Sequence, residues 1–256
     1  RAAVLFSATL APAGYYKDLC GLPDARAVAL RSPFDPANMG LWCARQVSTR
    51  YKDRADSIAK VSDLLAVMAA AQPGHYLAFF PSYSYLQQVW EDFTARYPDQ
   101  PTLCQESAMD EGQRTEFLAQ FLARDGKPLL GFAVLGGVFG EGVDLTGESL
   151  IGVAVVSPGL PQIGPRQEQL RDYFEETRGA GFDYAYRYPG MNKVLQAAGR
   201  VIRTPQDRGV VLLIDDRFLV PDTRRLMPPH WEHLRVVDSA DAWKDELAAF
   251  WKKHEP

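Results

Sequence analysis

Cysteine is scarce in this chain. Cys20, Cys43 and Cys104 are the only three in 256 residues, no two of them form a C-x-x-C pair, and the four histidines are scattered. A structural zinc or iron–sulfur site built from this chain alone is therefore not expected, and the thiols are expected to be buried and reduced, as in a cytosolic protein. Long apolar runs are missing too. Nothing approaches the roughly 20 residues of a membrane-spanning helix, so no membrane partner is expected. Nor does positive charge dominate: a net charge of −4 rules out a broadly basic nucleic-acid coat, while leaving room for a local basic groove, because phosphate contacts depend on local charge. Repeats and low-complexity tracts are absent, and 46% hydrophobic with 23% charged residues fits a folded domain rather than a disordered one. There is no G-x-x-x-x-G-K-[ST] phosphate loop (Gly126-Lys127-Pro128 is not one) and no Asp-Glu-x-His box. The opening Arg1–Leu10 has too short an apolar core for a signal peptide and no initiator methionine, and reads as a cut made inside a longer protein.

The residues that are present alternate between two patterns. Ala3–Thr9, His75–Phe80, Pro128–Leu135, Leu150–Val156 and Gly209–Asp215 are short apolar runs that read as buried strands, and Leu41–Val47 alternates enough to be a strand. Between them, Gly14–Leu22, Ala55–Ala71, Pro81 to about Arg96 and Glu111–Arg124 carry helical periodicity, and a short strand is expected at 102–105. Strands apolar throughout, alternating with amphipathic helices, predict an α/β fold: a doubly wound, mostly parallel sheet covered on both faces. Ser32-Pro-Phe-Asp-Pro36 is the first candidate boundary. The stretch 157–189 falls outside the rhythm as a helical insertion, and 238–256 ends the chain in an amphipathic helix.

In a parallel sheet, ligands gather beyond the carboxyl ends of the strands. Ser7 and Thr9, Ser82 and Tyr83, and Gly136-Gly-Val-Phe-Gly-Glu-Gly-Val-Asp144 follow apolar runs. The glycines allow close backbone approach to a ligand, and Glu141 and Asp144 can bond hydroxyls or anchor an arginine. The last such stretch is Gln196-Ala-Ala-Gly-Arg-Val-Ile-Arg203. As a single helix it would put Gln196, Arg200 and Arg203 near one face, suited to a polyanion such as a nucleotide phosphate. The bland reading is an amphipathic surface helix with solvated arginines. Four loops on one edge are expected.

In order and spacing, these stretches resemble the second RecA-like motor domain of superfamily 2 helicases of the XPD/DinG family. Leu5-Phe-Ser-Ala-Thr-Leu-Ala-Pro12 resembles motif III, Ala78-Phe-Phe-Pro-Ser-Tyr-Ser-Tyr-Leu86 motif IV, Gly137–Leu145 motif V and Gln196–Arg203 motif VI, with Asp215-Asp-Arg-Phe218 the usual continuation. The resemblance implies residues 1–31 as a motif III strand and connector from a first motor domain, and 32–256 as the second domain. It implies ATP with Mg²⁺, held mainly by the first domain, and an iron–sulfur cluster in that first domain rather than here. Arg203, the arginine finger, and Arg200 would reach the γ-phosphate, with Gln196 sensing it. Gly140, Glu141, Gly142 and Asp144 would serve the nucleotide side, with no metal ligand. Ser7, Thr9, Ser82, Tyr83 and Gln105 would serve single-stranded DNA. The partners implied are that DNA and the first RecA-like domain, in a monomeric, cytoplasmic, nucleoid-associated DNA helicase of bacterial type with 5′→3′ polarity and a role in DNA repair. The isolated stretch is expected to be inactive as an ATPase. The alternative is a non-catalytic nucleic-acid-binding or interaction module that keeps the RecA shape. A dinucleotide-binding fold fails, since Gly136–Gly142 lacks the helix and ribose-binding acid that site needs. The insertion mixes Arg166, Arg171, Arg178 and Arg187 with tyrosines, which suits single strands, but Glu168, Asp172, Glu175 and Glu176 nearly cancel the charge. It is either a solvated or interdomain helix or a DNA contact.

Overall fold

Segments that are apolar on both faces need a layer above and below, and the sheet provides it. The computed structural model describes residues 3–122 (Leu122 by its backbone alone), 128–137, 139 and 150–254. Its strands are β1 (Met39–Ala44), β2 (His75–Phe80), β3 (Thr102–Cys104), β4 (Leu129–Val134), β5 (Gly152–Val156), β6 (Gly209–Ile214) and β7 (Arg235–Val237). They form one sheet in the order β3-β4-β2-β5-β6-β1-β7. Every described pairing is parallel, from Met39 opposite Gly209 to His75 opposite Leu129. The helices are α1 (Ala13–Leu19), α2 (Arg54–Ala71), α3 (Tyr83–Arg96), α4 (Glu111–Leu122), α5 (Pro165–Arg178), α6 (Tyr188–Ala198), α7 (Pro221–Arg224) and α8 (Ala240–Lys253).

Side chains alternate across each strand, so one strand feeds two cores. Trp42, Tyr76, Ala78, Phe80, Ala154, Leu212 and Ile214 pack under α2, α3 and α8. Leu41, Cys43, Leu77, Phe79, Val153, Val155, Val211 and Leu213 pack under α4 and α6. On the first face the fully buried Trp243 of α8 meets Trp42 edge-on at 4.8 Å. This is the RecA-like doubly wound arrangement expected from the pattern of runs. Among the described residues no helix is long and apolar enough to cross a membrane.

Two expectations are corrected. Residues 3–9 form no strand: they pair with neither sheet edge, and Val4, Leu5 and Phe6 are 83%, 60% and 90% exposed. Their apolarity has no partner among the described residues, so it cannot be satisfied as a buried strand. The octamer 196–203 is not one helix either. α6 ends at Ala198, Gly199 caps it, and two tight turns carry the chain on through Val201.

The insertion is a packed element. α5 stops at Gly179, which takes the left-handed conformation (φ +62°) that favours glycine. A π-helical stretch, Asp183–Arg187, then runs into α6. Phe174 and Tyr184 stack at 4.1 Å, and Tyr15 of α1 meets Tyr184 and Tyr188 edge-on at 5.3 and 5.1 Å. Asp18 accepts from Arg178 at 2.9 Å and from the Tyr184 hydroxyl at 2.5 Å. The Tyr16 hydroxyl accepts from Asn192 of α6 at 2.5 Å. Arg171 pairs with Glu168 and Asp172, and Arg187 with Asp183. Most of the insertion's aromatics and cations are thus turned inward or neutralised.

Candidate functional site

Beyond the carboxyl ends of β2, β3 and β4 lies a groove of about 420 Å³ lined by Tyr83, Ser84, Gln87, Gln105, Glu106 and Ser107. Ser82 caps α3, its hydroxyl accepting the Tyr85 N–H at 3.4 Å, so its side chain is committed to the helix start. Gln105 is 6% exposed. Its Oε1 accepts from the Val134 N–H at 2.8 Å and its Nε2 donates to the Tyr83 hydroxyl at 3.0 Å. Gln105 therefore holds Tyr83 in place, and Tyr83, 37% exposed, is the group that faces the groove. Gly136 follows β4 with φ +76°, a conformation that excludes most side chains. A Cβ there would also strike Lys193 of α6, 2.8 Å from its Cδ and 3.2 Å from its Nζ. Gly137 sits beside Gln105, where a Cβ would lie 3.7 Å from Nε2.

A second polar cluster stands at the same edge, after β1, β5 and β6. The Asp215 side chain has no exposed surface. It accepts from Arg217 Nε at 2.7 Å and the Arg217 terminal nitrogen at 2.8 Å, from the Thr49 N–H at 2.9 Å, and from the Thr49 hydroxyl. Burial pushes its carboxyl up, but the Arg217 guanidinium and the Thr49 hydroxyl pull harder, and the net shift is downward. Arg217 also reaches Ser157 at 3.4 Å, a buried non-glycine residue at φ +84°. Next to it Asp216 pairs with Arg50 at 2.6 Å. Of this cluster the sequence offered only the Asp215–Phe218 stretch, without a role. Its signal was the one used elsewhere, a polar residue directly after a buried run.

Gln196, Arg200 and Arg203 do not join that edge. α6 starts at the carboxyl edge, where Gly190 touches Pro158 and Lys193 lies over Gly136. It ends at the amino edge, where Val201 approaches the start of β6 so closely that a Cβ on Gly209 would sit 2.3 Å from it. Asn38, just before β1, donates to Pro205 at 3.2 Å. The expected convergence of four loops on one edge is therefore corrected to two sites joined by one helix. Gln196 is exposed on α6, Arg200 is 7% exposed in the turn, and Arg203 is half-buried beyond it. Asp207 fixes this tail, accepting from the N–H groups of Arg203 and Thr204 at 2.7 Å each. Burial lowers the Arg203 guanidinium from its ordinary value against the opposing pull of Asp207.

Ser7 and Thr9 bond each other at 3.3 Å on the exposed N-terminal segment. Gly140, Glu141, Gly142 and Asp144 lie outside the described residues. Among the described residues no three His, Cys, Asp or Glu side chains come together as a metal site.

The profile of a family described as helicase C-terminal domain matches residues 65–234. The regulator of telomere elongation helicase 1 of Bos taurus is 29% identical over 98% of the chain and 23% of its own length. The ATP-dependent DNA helicase YoaA of Escherichia coli is 27% identical over 80% of the chain and 31% of its own length. The chain thus spans under a third of either relative. A solved structure of XPD in its apo form superposes on 90% of the chain and 47% of its own length, with a TM-score of 0.70 at 18% identity. Dbp5 of S. cerevisiae bound to RNA and ADP BeF3 covers 98% of the chain and 55% of its own length, with a TM-score of 0.57 at 17% identity. These two likenesses are of fold.

Proposed function

The chain belongs to the helicase C-terminal domain family, and from that premise we propose that it supplies half of a shared ATP site and half of a single-stranded DNA track in an ATP-dependent DNA helicase. The observation that carries the ATP half is the tail of α6. Two guanidiniums and an amide stand within eight residues there, and the backbone of Arg203 is clamped by Asp207. Burial has already removed part of Arg203's water, which strengthens its attraction for a phosphate oxygen arriving from a first motor domain. In phosphoryl transfer, charge spreads over the equatorial oxygens of the moving group, and an arginine placed there lowers the barrier. Arg203 takes that role, Arg200 supports it from the turn, and Gln196 contacts the same phosphate. The donors on this tail are cationic or neutral, which suits the phosphate. On this reading the magnesium ion is held mainly by the first motor domain.

The DNA half is the carboxyl-edge groove. Tyr83 offers a stacking face, held by Gln105, and Ser82 fixes the start of α3 beneath it. Ser7 and Thr9, on the segment leading into α1, would link the nucleotide state to that track.

In a protein containing both motor domains, Arg203→Ala is expected to lower turnover by about 10³-fold or more while nucleotide affinity stays largely intact. Steady-state ATPase rates and equilibrium nucleotide binding read the two quantities. Unchanged turnover would remove the finger assignment.

A further inference from the structure

We propose that Lys193, seated over Gly136, is a contact for a backbone phosphate of the single strand. This rests on the DNA track proposed above and extends it by a residue from a different element. Lys193 is on α6, five residues before that helix ends. Its side chain nevertheless lies at the carboxyl edge, its Nζ 3.2 Å from where a Gly136 Cβ would be.

The local charges single it out. Arg217 is answered by Asp215 and Arg50 by Asp216. No carboxylate among the described residues pairs with Lys193, which is half-buried. A partly dehydrated ammonium gains when an anion replaces the water it has lost. The Lys193 stem lies in the space a Gly136 side chain would take, and Gln105 Nε2 borders Gly137 on the side leading to Tyr83. A phosphate at the Lys193 ammonium would leave a neighbouring base within reach of Tyr83. The other candidate anion is the nucleotide phosphate, which we place at the opposite end of α6. At 1.5 Å per residue, Ala198 is about 7.5 Å further along the axis from Lys193, with Arg200 and Arg203 beyond it.

The test is oligo(dT) binding by the chain, measured across a range of salt concentrations for the unsubstituted protein, Lys193→Ala and Lys193→Arg. Each phosphate contact on a single strand adds about 0.7 to the slope of log K against log salt. Lys193→Ala is expected to lower the slope by about that amount and to weaken binding at low salt, while Lys193→Arg keeps both. An unchanged slope in Lys193→Ala, with oligo(dT) still bound, overturns the contact and leaves the DNA track standing. A loss of ATP affinity in the two-domain protein, with the DNA slope unchanged, also overturns it by assigning Lys193 to the nucleotide. Failure of the unsubstituted chain to bind oligo(dT) at all overturns the track and the contact together.

Discussion

A carboxylate without exposed surface persists in a folded protein only where donors answer its charge on the spot. Asp215 has five such donors from two residues, and it stands where β1 and β6 leave the sheet. Removing it strands Arg217, whose side chain is 22% exposed and so keeps some water. Asp215→Ala is therefore expected to cost about 3 kcal/mol of unfolding free energy, the lower end for breaking a buried pair. Urea unfolding followed by tryptophan fluorescence measures it, and a loss under about 1 kcal/mol would show that the cluster contributes little to folding. Residue identities in the sequence pointed to Tyr83 and Gln105 but not to their division of labour. That Gln105 bonds Val134 and Tyr83 at once depends on β3 and β4 being neighbours, which no local pattern encodes. Lys193 is illegible for a similar reason: in sequence it is one more polar position on a helix until β4 is placed beneath it.

Helix α6 explains why the octamer 196–203 does not lie where its sequence spacing puts it. Its eleven residues span about 16 Å at 1.5 Å each, close to the length of the five-residue β5 at about 3.3 Å per residue. A helix of that length leaving the carboxyl end of one parallel strand delivers its last turn to the amino end of the next. Gly199 and the turns after it then set Arg203 off the helix face where 3.6-residue spacing would have put it. Helices with long periodic faces, such as α2 and α8, were readable because many positions vote for one face. The three-residue β7 and the π-helical stretch carry too few positions for any period to show. α1 leads to a pH prediction. The Arg178 guanidinium, followed by the Tyr184 hydroxyl, lowers the Asp18 carboxyl to about 2. A depressed carboxyl stabilises the folded arrangement above its unfolded value, about 3.9, and that contribution is lost as pH falls toward 2. Seating of α1 on α5 should therefore loosen between about pH 4 and pH 2, seen as lower amide protection factors in 13–19. The Asp18→Asn protein should lose this pH dependence. Equal protection factors at pH 5 and pH 2 in the unsubstituted chain would refute the link.

The sheet and its two cores were readable because continuous apolar runs admit few other solutions. Strand order was not, since every pairing joins segments far apart in the chain. The ATP assignment carries a consequence for the chain as a unit. With no phosphate-loop sequence in it, the purified chain given ATP, magnesium and single-stranded DNA is expected to release no phosphate above the buffer blank. DNA-stimulated release by the pure chain would contradict the shared-site reading.

The position of β1 also bears on how the chain is made. All six of its residues are buried, and both of its neighbours, β6 and β7, come late in the sequence. The bond from Asn38 to Pro205 closes a separation of 167 residues. At roughly 5–20 residues per second on a ribosome, β1 waits on the order of ten seconds with Met39, Leu41 and Trp42 unpaired. Chaperone capture during synthesis is therefore to be sought first around residues 39–44.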